Sequence, residues 1–139
     1  MASVLIVDDE QHIRLLIEQT LEPLEDEGVE LLTAPDGEAA LDVVEHHRPR
    51  LVFLDVMMPK RNGFDVCRAI KHEMGLGDTY VVMLTAKGQA YDREQGVEVG
   101  ADVYLTKPFD PDELLDLARS VLSGEAGTPG APAPARPDA

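Results

Sequence analysis

Five short apolar segments alternate with helical patterns, and this alternation restricts the possible folds more than any other feature of the sequence. The segments are Ser3–Val7, Val29–Thr33, Leu51–Leu54, Tyr80–Leu84 and Val103–Leu105. They are rich in Val and Leu and show little polar–apolar alternation, which is typical of strands buried on both faces. A strand followed by a helix, five times over, predicts a parallel sheet with right-handed crossovers.

The intervening segments carry apolar residues at helical spacing. In the first helix, one face is predicted to hold Ile13, Leu16, Ile17 and Leu21. Asn62 and Asp110 are candidate N-caps of later helices, and the segment from Lys87 to Glu98 is the weakest helix because its apolar face is small. We therefore expect an α/β fold of the flavodoxin-like, doubly wound type: a five-stranded parallel sheet in a three-layer α/β/α sandwich.

The chain divides into a domain over residues 1–122 and a Pro/Gly/Ala-rich tail over residues 123–139. The tail contains four prolines and three glycines, a composition that predicts a flexible extension. It could be a linker, a docking peptide or a segment with neither role. Of these three, we favour a segment with neither role.

Net charge limits the partners. A formal charge of −15 argues against a nucleic-acid surface and against binding to anionic membranes. The chain has one cysteine, no basic N-terminal signal and no apolar run near the roughly 20 residues that span a bilayer. These features predict a cytoplasmic protein without an internal disulfide.

Polar residues follow four of the five predicted strands. Asp8 and Asp9 follow the first, Asp55 the third and Thr85 the fourth, and Lys107 follows the fifth after Thr106. Parallel strands lie about 4.8 Å apart and bind ligands at their carboxyl ends, so these groups are expected to converge. Taken singly, the acids and Thr85 could be helix caps and Lys107 a surface lysine. Their order along successive strands favours one shared site.

Three converging carboxylates need an offsetting charge, because two unit charges about 4 Å apart repel by roughly 4 kcal/mol at an effective dielectric near 20. Lys107 supplies part of it, and oxygen ligands favour Mg²⁺ as the remainder. A carboxylate beside Mg²⁺ can act as a nucleophile toward phosphorus. Mg²⁺, the Lys107 ammonium and the Thr85 hydroxyl can bind the phosphoryl oxygens, and the turn from Asp55 to Met57 can offer a backbone carbonyl to the metal.

At these residues the chain resembles the response-regulator receiver family of two-component signalling, over about residues 3–122. The matching motifs are Val4-Leu5-Ile6-Val7-Asp8-Asp9-Glu10, Leu54-Asp55-Val56-Met57-Met58-Pro59, Asn62-Gly63, Leu84-Thr85-Ala86-Lys87, Gly100-Ala101-Asp102 and Tyr104-Leu105-Thr106-Lys107-Pro108-Phe109. Many members of that family carry an output domain, whereas only the tail follows here.

The resemblance implies a role for each site residue. Asp55 is the phosphoacceptor, and Asp8, Asp9, Asp55 and the Met57 carbonyl are the Mg²⁺ ligands. Thr85 and Lys107 bind the phosphoryl group, and Thr85 with Tyr104 forms the switch pair. Phosphoryl access is set by Met57, Ala86 and Lys87.

The same resemblance implies partners and a mode of action. The donor is a sensor histidine kinase or a histidine phosphotransfer protein, and the output protein is unknown. Phosphorylation would alter the face formed by the Lys87–Glu98 helix, the fifth strand and the last helix, with a homodimer as one outcome. The chain would catalyse its own phosphorylation and slow dephosphorylation without being a conventional enzyme.

Two other functions remain open at this stage. A phosphohydrolase with an aspartyl-phosphate intermediate would use similar groups, but it usually needs an acid two residues after the nucleophile, where this chain has Met57. A binding module that is independent of phosphorylation would have no need of the complete set of acids, Thr85 and Lys107.

Three further residues are assigned structural positions. His46 and His47 are expected at a solvated helix end rather than in a metal site, because adjacent histidines do not share a helix face. Cys67 lies on an apolar helix face and is expected in the core.

Overall fold

The computed structural model describes residues 2–56, 58, 62–86, 100–107 and 109–123, with the side chains of Ala86 and Lys107 outside the described part. Five parallel strands form one sheet in the order β2-β1-β3-β4-β5. The strands are β1 (Ser3–Val7), β2 (Glu30–Ala34), β3 (Leu51–Asp55), β4 (Tyr80–Ala86) and β5 (Val103–Lys107). The predicted flavodoxin-like, doubly wound sheet is confirmed.

Four strands end farther along the chain than the sequence pattern predicted: β2 and β3 by one residue, and β4 and β5 by two residues. Asp55 is aligned with Leu84, and Thr85 is aligned with Thr106, so these polar residues belong to the parallel ladder. For β3, β4 and β5, the prediction ended the strand where the run of apolar residues ends. The backbone hydrogen bonds continue farther because they do not depend on side-chain polarity.

Five α-helices are present in the described residues: α1 (Gln11–Thr20), α2 (Glu22–Glu25), α3 (Gly37–His47), α4 (Gly63–Arg68) and α5 (Pro111–Ser123). A π-turn, Ala69–Glu73, continues α4 and was not predicted from the sequence, and neither was the short α2. None of these helices is long and apolar enough to cross a membrane.

Side-chain caps begin three of the helices. The predicted N-caps are confirmed: Asn62 accepts a hydrogen bond from the Asp65 amide at 3.0 Å, and Asp110 accepts one from the Asp112 amide at 2.9 Å. Asp36 caps α3 in the same way, through the Ala39 amide at 2.9 Å. These caps satisfy amides that have no partner inside the helix.

Two apolar cores lie on opposite faces of the sheet, because successive residues of a strand point to opposite sides. One core packs α1 and α5 against residues such as Ile6 and Phe53. The other packs α3 and α4 against residues such as Leu5 and Leu54 and includes Cys67, whose predicted core position is confirmed. Burial on both faces explains why the strands read as unbroken apolar runs.

One predicted core position is wrong. Leu16 is 43 % exposed and its neighbour Leu15 is 51 % exposed, whereas Ile17 and Leu21 are fully buried. The spacing i, i+3, i+4 fits Leu16 onto the apolar stripe. However, the residues that pack into the core are Ile13, Ile17, Leu21 and Leu24. Leu16 lies about 100° around the helix from Ile17, at the edge of this stripe.

Candidate functional site

Asp8 and Asp9 differ in their surroundings although they are adjacent in sequence. Asp8 is fully buried, and its Oδ1 atom accepts a hydrogen bond from the Glu10 amide at 2.9 Å. Its backbone carbonyl accepts a hydrogen bond from Nη1 of Arg14 at 2.6 Å. Asp9 is exposed at the start of the loop before α1. Asp8 is therefore fixed by the turn and by Arg14, while Asp9 faces solvent.

Asp55 is the last residue of β3 and is only 6 % exposed. The chain that follows it is held on two sides. The Val56 amide donates to the Leu84 carbonyl at 3.2 Å, and the Gly63 amide donates to the Val56 carbonyl at 2.8 Å. These bonds tie the end of β3 both to β4 and to the start of α4, so the position of the Asp55 backbone is strongly determined.

Gly63 contributes to the site in a way that its sequence context alone did not reveal. A β-carbon at position 63 would overlap the backbone carbonyl oxygen of Asp55 and would stand 2.9 Å from the Cα atom of Val56. Only glycine allows this close approach. The Asn62-Gly63 motif was part of the family resemblance, but nothing in the local pattern showed which backbone the glycine meets.

The three predicted carboxylates do converge. Ligand oxygens of Asp8, Asp9 and Asp55 lie within 4.8 Å of one another. The register explains the buried pair: Val7 is aligned with Leu54, so the next residues of β1 and β3 are Asp8 and Asp55. Two unit charges at such a separation repel by about 3.5 kcal/mol at an effective dielectric near 20, and this repulsion favours a cation.

The donor set fits Mg²⁺. All three groups are hard carboxylate oxygens, two of them are buried and one faces solvent, which leaves room for water ligands. Among the residues that the structure describes, no histidine or cysteine joins this group, and soft ligands would favour other metals.

A second acidic group, formed by Asp42, Glu45 and His46, lies exposed on α3. The Nδ1 atom of His46 is 2.8 Å from the Asp42 carbonyl oxygen and 3.4 Å from its carboxylate. The backbone hydrogen bond with Asp42, followed by the charge of its carboxylate, raises the pKa of His46. These contacts explain the group as a solvated pairing within one helix, and His46 and His47 lie at the exposed helix end that was predicted.

Thr85 lies on β4, the strand next to Asp55, and Tyr104 lies on β5, one strand farther from Asp55. Thr85 is 6 % exposed and stands one residue beyond Leu84, the residue aligned with Asp55. Adjacent strands are about 4.8 Å apart, so Thr85 lies at the same edge of the sheet as the carboxylates. Tyr104 is half-buried in β5, aligned with Met83, and packs against the core that contains Leu54.

Several predicted positions fall outside the described residues. These are Met57, Lys87, the segment Lys87–Glu98, residues 124–139 of the predicted tail and the side chains of Ala86 and Lys107. The backbone of Lys107 is described: it ends β5 and is aligned with Ala86, next to Thr85. Lys107 is therefore at the expected edge of the sheet.

Comparison with known proteins gives a consistent picture. Residues 4–119 match the family model of the response regulator receiver domain. The probable transcriptional regulator ycf27 of Galdieria sulphuraria is 48 % identical over 119 residues, which cover 86 % of this chain and 44 % of that protein. The chain spans about half the length of the curated relatives it matches.

Solved structures agree with the fold. The chemotaxis response regulator CheY4 of Vibrio cholerae superimposes with a TM-score of 0.76 at 36 % identity, covering 87 % of this chain and 98 % of that one. The BeF3-activated receiver domain of DrrB, a Thermotoga maritima OmpR/PhoB homologue, gives a TM-score of 0.77 at 32 % identity, with 88 % and 98 % coverage.

Proposed function

The chain belongs to the response regulator receiver domain family of two-component systems, and from that premise we propose that it accepts a phosphoryl group on Asp55. The observation that carries this proposal is the convergence of Asp8, Asp9 and Asp55 within 4.8 Å at the carboxyl edge of the sheet. A cluster of like charges opposes folding, so its presence points to a bound cation and to chemistry that needs one.

Mg²⁺ would be held by the carboxylates of Asp8, Asp9 and Asp55 together with the backbone carbonyl of Met57. When bound, it supplies positive charge to the phosphoryl oxygens as charge accumulates there. Asp8 is suited to a fixed role because its Oδ1 atom and its carbonyl are both held by hydrogen bonds. Asp9, at the solvent side, is suited to direct exchange with water and metal.

The transfer step requires no separate base. A carboxylate oxygen of Asp55 attacks the phosphorus of a phosphohistidine, so that a P–O bond forms while the P–N bond breaks. The electron pair of the broken bond returns to the imidazole nitrogen of the donor, which leaves as neutral histidine when its other nitrogen carries a proton. The Thr85 hydroxyl and the Lys107 ammonium bind the oxygens of the transferred group.

Phosphorylation changes a local charge and thereby shifts a conformational equilibrium. The phosphoryl group adds about −1.5 to −2 charge and three acceptor oxygens beside Thr85. Movement of Thr85 toward these oxygens would open space for Tyr104, whose side chain is half-buried on the neighbouring strand. Phosphoryl access would be set by Met57, Ala86 and Lys87. The altered face comprises the Lys87–Glu98 segment, β5 and α5, and it would bind an output protein or a second copy of the chain.

The proposed donor is a sensor histidine kinase or a histidine phosphotransfer protein in the cytoplasm. The chain itself is not proposed to bind nucleic acid, because its net charge of −15 repels phosphate backbones. Its relative from Galdieria sulphuraria is named a probable transcriptional regulator and is about twice as long as the matched region. Any effect on transcription would therefore pass through a partner or a segment outside residues 1–122, and residues 123–139 would serve as a flexible extension.

Phosphorylation with a small-molecule donor tests the proposal directly. The full chain is incubated with Mg²⁺ and acetyl phosphate, and intact-mass spectrometry counts the phosphoryl groups. We expect one group on the wild-type chain and none on Asp55→Asn. Asp42→Asn is the matched control, because Asp42 is an exposed carboxylate in the second acidic group.

Three results would contradict the proposal. Equal labelling of Asp55→Asn would assign the phosphoryl group to another residue. Rapid turnover of small phosphomonoesters, with continuous release of inorganic phosphate, would instead indicate a phosphohydrolase. A wild-type chain that takes up no phosphoryl group would indicate a binding module that works without phosphorylation.

A further inference from the structure

Lys71 and Asp102 form a buried ion pair at the opposite end of the sheet from the carboxylate cluster. The Nζ atom of Lys71 is 2.8 Å from Oδ2 of Asp102, and the two side chains are 6 % and 2 % exposed. Lys71 lies in the π-turn after α4, and Asp102 immediately precedes β5. A lysine in a polar helical segment is ordinarily a surface residue, so no sequence pattern indicated this pair.

Each hydrogen of the Lys71 ammonium group has an acceptor. A lysine ammonium has three hydrogen-bond donors, and here the acceptors are the carbonyls of Gly77 at 3.1 Å and Thr79 at 2.5 Å, together with Asp102. Oδ2 of Asp102 also accepts a hydrogen bond from the Val81 amide at 2.8 Å. A buried ion pair held by this many hydrogen bonds is strongly ordered, and it loses that order when one partner is removed.

The pair holds the beginning of β5 against the beginning of β4. The Asp102 amide donates to the Val81 carbonyl at 2.9 Å, while the Asp102 carboxylate accepts the Val81 amide. The Asp102 side chain thereby takes the place of a backbone acceptor one step before the regular ladder, whose first aligned residues are Val82 and Val103. The carbonyl of Thr79 binds Lys71, so both strand starts are joined to α4 through one ammonium group.

Two local features bring Lys71 to this position. The π-turn shifts the helix by an extra residue, seen in the hydrogen bond from the Met74 amide to the Ala69 carbonyl at 2.8 Å. Gly100, with φ of +94°, passes so close that a β-carbon there would be 3.2 Å from Cγ of Lys71. The chain that returns toward β5 is thus packed directly on the lysine stem.

β5 depends on this attachment more than the inner strands do. In the described sheet it is an edge strand paired with β4 alone, and it is five residues long. At about 3.3 Å per residue, a displacement at Asp102 is carried along roughly 16 Å of stiff strand to Lys107. A displacement at Val81 is carried in the same way along β4 to Thr85, which is aligned with Thr106.

We propose that Lys71 and Asp102 are positioning residues for the phosphoryl-binding ends of β4 and β5. By joining the two strand starts to α4, they keep Thr85 and Lys107 at the distance from Asp55 that phosphoryl binding requires. This inference rests on the proposed function, because it assigns Thr85 and Lys107 to the phosphoryl group. It also divides the site into two parts. The carboxylates follow β1 and end β3, whereas Thr85 and Lys107 lie on β4 and β5, the two strands that the ion pair joins.

The test compares two affinities in the full chain. Mg²⁺ binding is measured by titration calorimetry, and binding of the phosphoryl mimic BeF3⁻ is measured in saturating Mg²⁺. The variants are Asp102→Asn, which keeps the shape and an acceptor for Val81 but removes the charge, Lys71→Met, and the conservative Lys71→Arg. Val44→Ala is the control, since Val44 is a fully buried residue of α3 that takes no part in the hydrogen bonds of the ion pair. Both affinities of each variant are measured under conditions in which circular dichroism shows that the variant is folded.

We expect Asp102→Asn and Lys71→Met to keep Mg²⁺ affinity within about twofold of wild type while BeF3⁻ affinity falls on the order of tenfold, as small misplacements of binding groups do. Lys71→Arg should recover part of the loss. Val44→Ala should leave both affinities unchanged in its folded fraction. If Lys71→Met fails to fold, Asp102→Asn decides the question.

Three outcomes would overturn the inference. Wild-type BeF3⁻ affinity in Asp102→Asn, with the wild-type chain binding normally, would refute the positioning role and leave the proposed function intact. An equal loss of Mg²⁺ and BeF3⁻ affinity would assign the pair a purely structural role. A wild-type chain that binds no BeF3⁻ would overturn the proposed function and, with it, this inference.

Discussion

Gly63 lies directly against Asp55: a β-carbon on the glycine would overlap the aspartate's backbone carbonyl oxygen. The contact joins the start of α4 to the end of the strand that carries the proposed phosphoacceptor. It is reinforced by the hydrogen bond from the Gly63 amide to the Val56 carbonyl at 2.8 Å. The placement of Asp55 therefore depends on a residue with no side chain of its own.

Gly63→Ala should damage both stability and phosphoryl uptake. The added methyl group must displace backbone, and overpacking of this kind costs about 1–3 kcal/mol. Denaturant unfolding measures the loss of stability, and acetyl phosphate labelling measures the loss of function. Gly77→Ala is the matched control, because a β-carbon at Gly77 meets nothing within 4 Å. Equal behaviour of the two variants would show that the close approach has no consequence.

Asp9→Asn should raise the melting temperature in EDTA and reduce the stabilisation that Mg²⁺ provides. Without metal, the substitution removes one of three mutually repelling carboxylates. With metal, it removes a ligand, so the binding free energy that stabilises the folded state falls. Thermal unfolding in EDTA and in excess MgCl₂ gives both values. Asp42→Asn is the control and should change neither the metal-free melting temperature nor the stabilisation by Mg²⁺ in this way. Equal stabilisation of Asp9→Asn and wild type by Mg²⁺ would exclude Asp9 as a ligand.

The Cys67 thiol should lower stability at high pH. Burial is the main cause that raises the pKa of Cys67 to about 12 from its ordinary 9.0. The unfolded chain loses the thiol proton first, so this contribution is complete below pH 9.0 and is lost as pH rises from there toward about 12. Urea unfolding of wild type and Cys67→Ala across that range should show a steeper decline for wild type. Parallel declines would contradict the shift.

Ile17 and Leu16 should differ sharply in their effect on stability. Ile17→Ala removes a fully buried side chain and should cost about 2–5 kcal/mol. Leu16→Ala acts on a side chain that is 43 % exposed, so its effect should stay within about 0.5 kcal/mol. Urea denaturation of the two variants measures the difference. A large loss of stability in Leu16→Ala would contradict the exposed position of Leu16 and support the helix face that the spacing predicted.

The sequence by itself determined the fold class and which of the described polar residues share one edge of the sheet. Unbroken apolar strands separated by helical patterns require a sheet covered on both faces, and in such a sheet the carboxyl ends of neighbouring strands meet at one edge. That geometry is enough to bring Asp8, Asp9 and Asp55 together, and it places Thr85 and the backbone of Lys107 at the same edge. The caps at Asn62 and Asp110 were also readable, because they act within one turn of their own helix.

Only the tertiary structure decided the contacts that join distant segments. The overlap of Gly63 with Asp55, the exposure of Leu16 and the ion pair between Lys71 and Asp102 all depend on how one element approaches another. Local sequence specifies the periodicity of an element but not the register in which its neighbour packs. Glycine and lysine, moreover, carry no pattern that distinguishes a buried contact from a surface position. Their roles arise from close packing, which is a property of the assembled molecule.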